Sequence, residues 1–453
     1  MSESRIKLGY SKMMGIVLFV LLIAAPVSFM LRPASAQSDE VNSSAETNTR
    51  FLLLEKPSPS YAKLDIYIQR STDNGDSWED PINLSSNSGQ SFRSEILVSG
   101  SNVYVVWVQE SSDGTKSDVY FRGSVNDGQS WGSKIKLGST GTSFDSSPII
   151  GASGSDVYVV WDDSGTGDIY IRRSTNNGGT WASIFNLSSN TGKSDSQDLS
   201  VTGSNVYVVW AQANADGSAT DVFVRDSNDD GASWGSKKKL SSSGNAVEPT
   251  VASSGSRVHV AWQDASAGNG DILLRTSTNE GASWGSAKNM STDSARSSSP
   301  ELATSGTSVY LEYTKKTSTR DYSIIFRSSA NSGGTWGGKT TLATSHPYGI
   351  GPASILTDGN YVHVAIEIVD KDNIFFLMRS SANNGASFGP SVDPSSGDYV
   401  FRTDMVVSGS NLFAVWSGSS FVDGIALAKS TDNGLTWSDP ESVDPDAQRA
   451  RIA

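Results

Sequence analysis

Three arginines stand in similar local contexts and could hold an anion. Arg93 and Arg402 occur in the related strings FRSE and FRTD, and Arg449 precedes Arg451 in a C-terminal string that resembles residues 93–97. The planar fork of an arginine binds a carboxylate through two parallel hydrogen bonds. The alternative interpretation is that each arginine pairs with an acidic side chain on a neighbouring strand, because buried charges in proteins are generally paired.

Four carboxylates recur at one position of alternate repeat units, five residues before the glycine that ends an apolar segment. They are Glu95, Asp198, Glu301 and Asp404, and the intervening units carry Ile149, Thr250 and Ser354 there. Around one axis, four carboxylates would form an acidic channel that attracts a cation or a basic group. The alternative is that duplication copied a structural residue that pairs with Arg, Ser or a backbone N–H. Glu312 is a minor site candidate, because it replaces a strand valine in the sixth unit.

The composition excludes several kinds of site. The 453 residues include no Cys and three His, and the formal net charge is −13. Without Cys there are no disulfides, thiolate zinc sites or cysteine nucleophiles. Three histidines cannot supply a His-rich metal site, and they disfavour a Ser-His-Asp triad. The acidic balance argues against nucleic acid and anionic membrane surfaces as partners.

Residues 1–36 have the pattern of a targeting segment. Arg5, Lys7 and Lys12 precede an apolar run over residues 13–31, and the run is followed by the small-residue string ASA at 34–36. The run approaches the minimum length of a membrane span. We therefore expect a cleaved signal peptide or a retained N-terminal membrane anchor, with the rest of the chain secreted or at the cell surface, outside the cytoplasm. Residues 37–48 are predicted to be a disordered leader.

One motif, Ser-x-(Asp/Asn)-x-Gly-x-x-(Trp/Phe), recurs eight times. Its third positions are Asp73, Asn126, Asn176, Asp229, Asn279, Asn331, Asn383 and Asp432. The side-chain oxygen at this position is predicted to accept hydrogen bonds from turn N–H groups, the glycine to take a positive φ, and the aromatic residue to pack beneath the turn. Because five of the eight copies carry Asn, the motif needs an acceptor and not a charge, so we interpret it as structural.

The repeats predict the fold. Around each motif, alternating segments such as residues 103–107 indicate four antiparallel strands, which is typical of a β-propeller blade. The first unit lacks its innermost strand, and residues 449–453 are predicted to supply it and close the ring. The sequence thus predicts an all-β, eight-bladed β-propeller of four-stranded antiparallel blades over residues 49–453. Alternate motifs lie about 103 residues apart, which indicates a two-blade unit in four copies.

The motif resembles the Asp-box (BNR) repeats of sialidases and other Asp-box β-propellers, and the resemblance covers residues 49–453. It implies that a ligand binds at the central channel, which the innermost strands line. Sialidases hold the substrate carboxylate with an arginine triad, so the resemblance makes Arg93, Arg402 and Arg449 a candidate carboxylate clamp. The family places its first arginine in a Phe/Tyr-Arg-Ile-Pro motif, and the Ile-Pro is missing here. The family's tyrosine nucleophile, its Glu partner and its Asp acid have no assignable counterparts, although Tyr348 and Tyr399 fall in inner loops.

We therefore expect an extracytoplasmic binding or interaction module whose partner is a glycan or an extracellular protein. The alternatives are a sialidase-like exo-glycoside hydrolase that uses the three arginines, and a structural component of the cell envelope. We expect binding rather than enzymatic activity, a monomer, and membrane contact only through the N-terminal segment. No cofactor is expected; Ca²⁺ is the one ion considered, at Asp162, Asp163 and Asp168, whose spacing does not match a defined calcium loop.

Overall fold

The computed structural model describes residues 48–57, 63–86, 89–141, 147–189, 191–266, 269–292, 294–318, 321–345, 349–370, 373–418 and 424–453. All of these residues belong to one compact unit. They form β-strands and no helix, so no helix within the described ranges is long and apolar enough to cross a membrane. The predicted targeting segment at 1–36 and the predicted leader up to residue 47 lie outside the described residues.

The strands form eight antiparallel sheets arranged as the blades of a propeller ring. Blade 1 contains β1 (Arg50–Pro57), β2 (Leu64–Ser71), β3 (Ile82–Asn83) and the last strand, β31 (Arg449–Ile452). Blade 2 contains β4 (Ser91–Ser99), β5 (Asn102–Glu110), β6 (Ser117–Ser124) and β7 (Ile135–Gly141). Blade 3 contains β8 (Ile149–Ser153), β9 (Asp156–Asp163), β10 (Asp168–Ser174) and β11 (Phe185–Asn186). Blade 4 contains β12 (Ser194–Thr202), β13 (Asn205–Ala213), β14 (Thr220–Ser227) and β15 (Lys238–Lys239).

The second half of the ring has the same order. Blade 5 contains β16 (Ala246–Ser254), β17 (Arg257–Asp264), β18 (Asp271–Ser277) and β19 (Lys288–Asn289). Blade 6 contains β20 (Arg296–Ser305), β21 (Ser308–Lys316), β22 (Tyr322–Ser329) and β23 (Thr340–Ser345). Blade 7 contains β24 (Gly349–Asp358), β25 (Tyr361–Asp370) and β26 (Asn373–Ser381). Blade 8 contains β27 (Val400–Ser408), β28 (Asn411–Gly418), β29 (Gly424–Ser430) and β30 (Glu441–Asp444).

The predicted eight-bladed fold and its closure are confirmed. The last strand, β31, pairs with β1 and so becomes the innermost strand of blade 1, with Leu52 opposite Ile452 and Glu55 opposite Arg449. In blade 7 the outer strand is reduced to one bridge between Met378 and Val392. Pro390 and Pro394 flank this bridge, and a proline cannot donate a hydrogen bond to a strand ladder.

Apolar clusters fill the spaces between consecutive blades. In one of them Val106 and Phe121 of blade 2 pack against Ile150 and Trp161 of blade 3. Successive side chains of a strand point to opposite faces of the sheet, so the second strand of each blade contributes to the interface on both sides. The core is therefore a ring of interfaces, and each blade depends on its two neighbours for burial of its apolar side chains.

The eight motif turns each have the same pattern of hydrogen bonds. In Asn279, for example, Oδ1 accepts bonds from Ser277 Oγ (3.0 Å) and from Ser283 N (2.9 Å). In Asp229 the Oδ1 atom likewise accepts a bond from the backbone N–H four residues on, at 2.9 Å. Each motif glycine takes a positive φ, as predicted, and the residue before it also lies in the left-handed region, with φ between 52° and 59°. The sequence analysis did not predict this second left-handed residue.

Replacement of Asn279 by alanine is expected to lower the free energy of unfolding by about 1–2 kcal/mol, because the N–H of Ser283 then loses its acceptor. Urea denaturation of the purified protein measures this change. Asn279→Asp is the matched control, and its stability is expected to stay within about 0.5 kcal/mol of wild type, since Asp forms the same bonds at other motifs. An equally large loss for both variants would contradict the acceptor role.

Candidate functional site at the mouth of the central channel

A β-bulge near the start of the inner strands determines how the arginines are presented. We call the end of the channel at which these strands begin the mouth. The ladder shifts register between Phe92 and Glu95 in blade 2 and between Phe401 and Asp404 in blade 8. Within these bulges Arg93 and Arg402 have φ values of 53° and 51°, in the left-handed region that non-glycine residues rarely adopt. The equivalent residues Ser196, Glu248 and Ser299 also have positive φ, so the bulge belongs to the fold and is not peculiar to the arginines.

Four arginines from three adjacent blades meet at the mouth, and we call them the arginine cluster. Arg402 comes from blade 8, Arg449 and Arg451 from blade 1, and Arg93 from blade 2. Burial, and then the positive charges of the other three arginines, lower the pKa of Arg449 to about 10, while Glu55 opposes the shift. The structure thus brings the three predicted clamp residues into one electrostatic neighbourhood, together with Arg451.

The arginines differ in the partners that they already have. Arg451 donates to Asp404 Oδ1 at 3.3 Å, and Arg93 donates to Ser147 Oγ at 3.1 Å. Arg449 Nη1 lies 3.9 Å from Glu55 Oε1, and its buried Nε has no hydrogen-bond partner among the described residues. Arg402 is exposed. Ion pairing between blades therefore describes Arg451, and the contact of Arg449 with Glu55 lies within blade 1. Arg402 presents its guanidinium to solvent.

The predicted channel carboxylates reach across to the next blade. Asp198 Oδ2 accepts a bond from Val251 N at 2.8 Å, and Asp404 Oδ2 accepts one from Ile452 N at 2.9 Å. Both donors lie on inner strands, the edge strands of their sheets, where backbone N–H groups need partners. These two residues thus satisfy backbone groups of blades 5 and 1.

Among the four carboxylates, Glu95 has a strongly raised pKa. Burial raises its pKa to about 8, with Arg451 opposing the shift and Asp404 and Asp198 adding to it. A backbone hydrogen bond from Ile150 also opposes the shift. At pH 7 Glu95 is therefore mainly a neutral acid, which can both donate and accept a hydrogen bond.

The opposite type of interface uses carboxylates at the level of the bulges. Glu55 Oε1 accepts bonds from Ser94 N at 2.8 Å and from Ser94 Oγ at 2.9 Å. In the same way Glu248 binds Ser299 N at 2.9 Å and Glu367 binds Thr403 N at 3.2 Å. A carboxylate of blades 1, 5 and 7 thus binds the next blade at the bulge. A carboxylate of blades 2, 4 and 8 binds the next blade two residues further along the inner strand. This alternation gives the two-blade repeat a physical basis.

Blade 6 departs from this pattern by adding a second carboxyl group. Glu301 lies directly opposite Glu312 in the β20–β21 ladder, where blades 2, 4 and 8 pair the equivalent carboxylate with a valine. Glu312 is 1 % exposed, and its Oε2 has no hydrogen-bond partner in the described residues. Burial, and then repulsion from Glu301, raise the pKa of Glu312 well above its ordinary value.

Two aromatic side chains stand beside Arg402. The rings of Tyr399 and Phe401 meet edge to face with centroids 4.5 Å apart, and Phe401 is 41 % exposed. Tyr348, the other tyrosine considered from the sequence, lies outside the described residues.

The acidic loop considered for Ca²⁺ has its carboxylates directed to different protein donors. Asp162 Oδ1 lies 3.3 Å from Gln197 Nε2, and Asp163 Oδ1 accepts a bond from Gly165 N at 2.8 Å. Asp168 accepts bonds from Asn186 and Ser188, both at 2.7 Å. No group of three acidic or histidine side chains arranged to hold a metal ion occurs in the described part of the chain.

Comparison with known proteins gives a distant likeness in structure only. No family model and no curated protein matches the sequence. An ulvan lyase of a new polysaccharide lyase family, bound to a GlcA–Rha3S unit, is 12 % identical with a TM-score of 0.46, over 78 % of this chain and 92 % of that one. A Hadza microbial sialidase is 14 % identical with a TM-score of 0.39, over 67 % of this chain and 71 % of that one. A Penicillium chrysogenum alpha-L-arabinanase complexed with arabinobiose is 15 % identical with a TM-score of 0.38, over 60 % and 88 %. At these identities and TM-scores the likeness carries no argument about the chemistry of this chain.

Proposed function

We propose that the protein is an extracytoplasmic binding module that holds an acidic glycan at the mouth of its channel. The predicted targeting segment at residues 1–36 would deliver it outside the cytoplasm. The observation that carries the proposal is the arginine cluster, in which the positive charges of Arg93 and Arg402, on the two adjacent blades, act on the buried Arg449 of blade 1. An anion relieves this repulsion, and a guanidinium fork suits a planar carboxylate.

Two further features support a sugar acid as the anion. Phe401 and Tyr399 form an aromatic surface next to Arg402, and aromatic rings pack well against the apolar face of a sugar ring. The rest of the protein is acidic, with 48 Asp and Glu against 35 Lys and Arg, so a cationic mouth selects an anion locally without attracting polyanions to the whole surface.

Arg402→Ala is expected to weaken binding of a carboxylated glycan at least about tenfold, because a charge-assisted hydrogen bond contributes about 1.5–3 kcal/mol. Calorimetry of the mature protein with 3′-sialyllactose or an oligoglucuronate, at 20 and 200 mM salt, measures the loss. Arg257→Ala is the matched control: Arg257 begins β17 immediately after the turn that ends inner strand β16, at the opposite end of the channel. Equal affinities of the Arg402 and Arg257 variants would contradict the proposal.

A turnover assay on the same variants separates binding from the hydrolase alternative. Both functions use Arg93, Arg402 and Arg449, but only a sialidase-like hydrolase releases a free sugar acid from a fluorogenic sialoside. We expect binding without turnover, and turnover that disappears in Arg402→Ala would replace the binding module by the hydrolase.

A further inference from the structure

A cavity of about 260 Å³ lies against the inner strands on one side of the ring, beyond the arginine cluster. The inner strands of blades 7, 8, 1 and 2 line it, beginning at Glu95 in blade 2, at Asp404 in blade 8 and at Arg451 in blade 1. These three residues each come two positions after an arginine of the cluster. Two residues of a strand span at most about 7 Å, so the cavity opens within a small molecule's length of the clamp.

The polar groups of the cavity are concentrated at its mouth side. Glu95, Asp404 and Arg451 are its charged or ionisable lining residues, and beyond them the walls are mainly Ile, Leu, Val and Met side chains. Arg451 donates to Asp404, so their charges offset each other. Because burial raises the pKa of Glu95 to about 8, Glu95 is mainly uncharged at neutral pH. Glu95, Asp404 and Arg451 together therefore do not attract a cation. Their carboxyl oxygens and the acid proton of Glu95 can form hydrogen bonds with hydroxyl groups, which both donate and accept.

The size of the cavity limits what can enter. Pockets for drug-sized ligands measure roughly 300–1,000 Å³, and this cavity is smaller. A single sugar residue is therefore the appropriate scale for the part of a glycan that enters this cavity.

We infer that the ligand inserts one polyhydroxylated acidic residue end-on, with its anionic group on Arg93, Arg402 and Arg449 and its hydroxyl groups on Glu95 and Asp404. This inference rests on the proposed function, and it adds a second layer of recognition that selects hydroxyl groups. Glu95 and Asp404 are then specificity residues. Asp198 and Glu301 hold the same strand position in blades 4 and 6 but are not among the residues that line the cavity.

Two probes of similar ring size and equal charge test the hydroxyl layer. D-glucuronate carries ring hydroxyl groups, and cyclohexanecarboxylate carries none. We expect wild-type protein to bind glucuronate at least tenfold more tightly in calorimetric titrations. Glu95→Ile, which copies Ile149 at the equivalent position of blade 3, is expected to reduce this preference at least fivefold, with a loss of affinity for glucuronate.

Glu301→Ile makes the same change at the same strand position outside the cavity, and it is expected to keep the wild-type preference. Glu95→Met, an unbranched apolar replacement, repeats the measurement if the isoleucine variant does not fold. Equal affinity of wild type for the two probes, or an unchanged preference in the Glu95 variants, would overturn the hydroxyl layer and leave the arginine site standing. If wild type binds neither probe, the proposed function fails with it.

Discussion

Deletion of Arg449–Ala453 is expected to lower the free energy of unfolding by about 5–8 kcal/mol. These five residues contain strand β31, which pairs with β1 and closes the ring. Ile452 is 4 % exposed and packs in a cluster with Leu52, Leu54 and Val415. Its loss exposes that cluster, and burial of one large aliphatic side chain contributes about 1.5–3 kcal/mol.

The deletion also leaves two buried carboxylates without their ion-pair partners. Asp404 loses Arg451 and the N–H of Ile452, and Glu55 loses Arg449. Both carboxylates are buried, and removal of one partner from a buried ion pair costs about 3–5 kcal/mol. Since natural proteins are stable by only about 5–15 kcal/mol, the truncated chain is expected to be at the limit of folding.

Urea denaturation followed by tryptophan fluorescence measures the loss against the full-length protein. Full-length Arg451→Met isolates the charge term, and the double variant Arg451→Met/Asp404→Asn is expected to recover most of that part, because it removes both charges. A peptide of residues 448–453 added to the truncated protein should raise the urea midpoint with increasing concentration. A truncated protein that unfolds at the wild-type urea concentration would mean that β31 does not hold the ring.

The ring was predictable because its information is local and repeated. Each motif turn places an acceptor, a left-handed glycine and an aromatic residue at fixed spacing. Eight copies therefore predict eight blades, whatever contacts the blades make with one another. Closure was predictable for a similar reason, since residues 449–453 are an inner-strand sequence without a following blade. The single bridge in place of a fourth strand in blade 7 lies between two prolines, and the repeat pattern alone does not predict this loss of strand.

The site was predictable only in part, because side-chain partners depend on interfaces between blades. Arg93, Arg402 and Arg449 stand in similar strings, and the charges of Arg93 and Arg402 act on the buried Arg449. Nothing in the sequence marked the bulge, because Ser196, Glu248 and Arg402 share a left-handed backbone but no common side-chain type. The contacts of Glu55 and Glu367 with the next blade were also missed, since each joins residues 36 or 39 positions apart.

Replacement of Glu312 by valine is expected to stabilise the protein, and to do so more strongly as the pH rises. Valine is the residue that faces the equivalent carboxylate in blades 2, 4 and 8. A valine at position 312 therefore fits the strand pattern of the other even blades. The wild-type carboxyl group is buried with Oε2 unpartnered, and an unsatisfied buried polar atom costs about 1–3 kcal/mol even when it is uncharged.

The pH dependence follows from the direction of the pKa shift. Burial and Glu301 raise the pKa of Glu312 in the folded state, whereas the unfolded chain ionises near pH 4.5. Between these two values the unfolded state has already released the proton that the folded state still holds. Rising pH therefore favours unfolding, by up to about 1.4 kcal/mol per pH unit, until the folded-state pKa is reached. Below pH 4.5 this part of the difference vanishes and only the unsatisfied polar group remains.

Urea midpoints of wild type and Glu312→Val at pH 5, 6, 7 and 8 measure the difference. Glu95 also has a raised pKa, but its contribution is common to both proteins and cancels. Glu312→Gln is expected to remove the pH-dependent part and to keep the polar penalty. Glu301→Gln is expected to weaken the pH dependence, because the opposing charge is gone while Glu312 stays buried. A difference between wild type and Glu312→Val that is constant across this pH range would show that Glu312 ionises at its ordinary pKa. Lower stability of the valine variant at pH 7 would contradict the expected penalty of the buried carboxyl group.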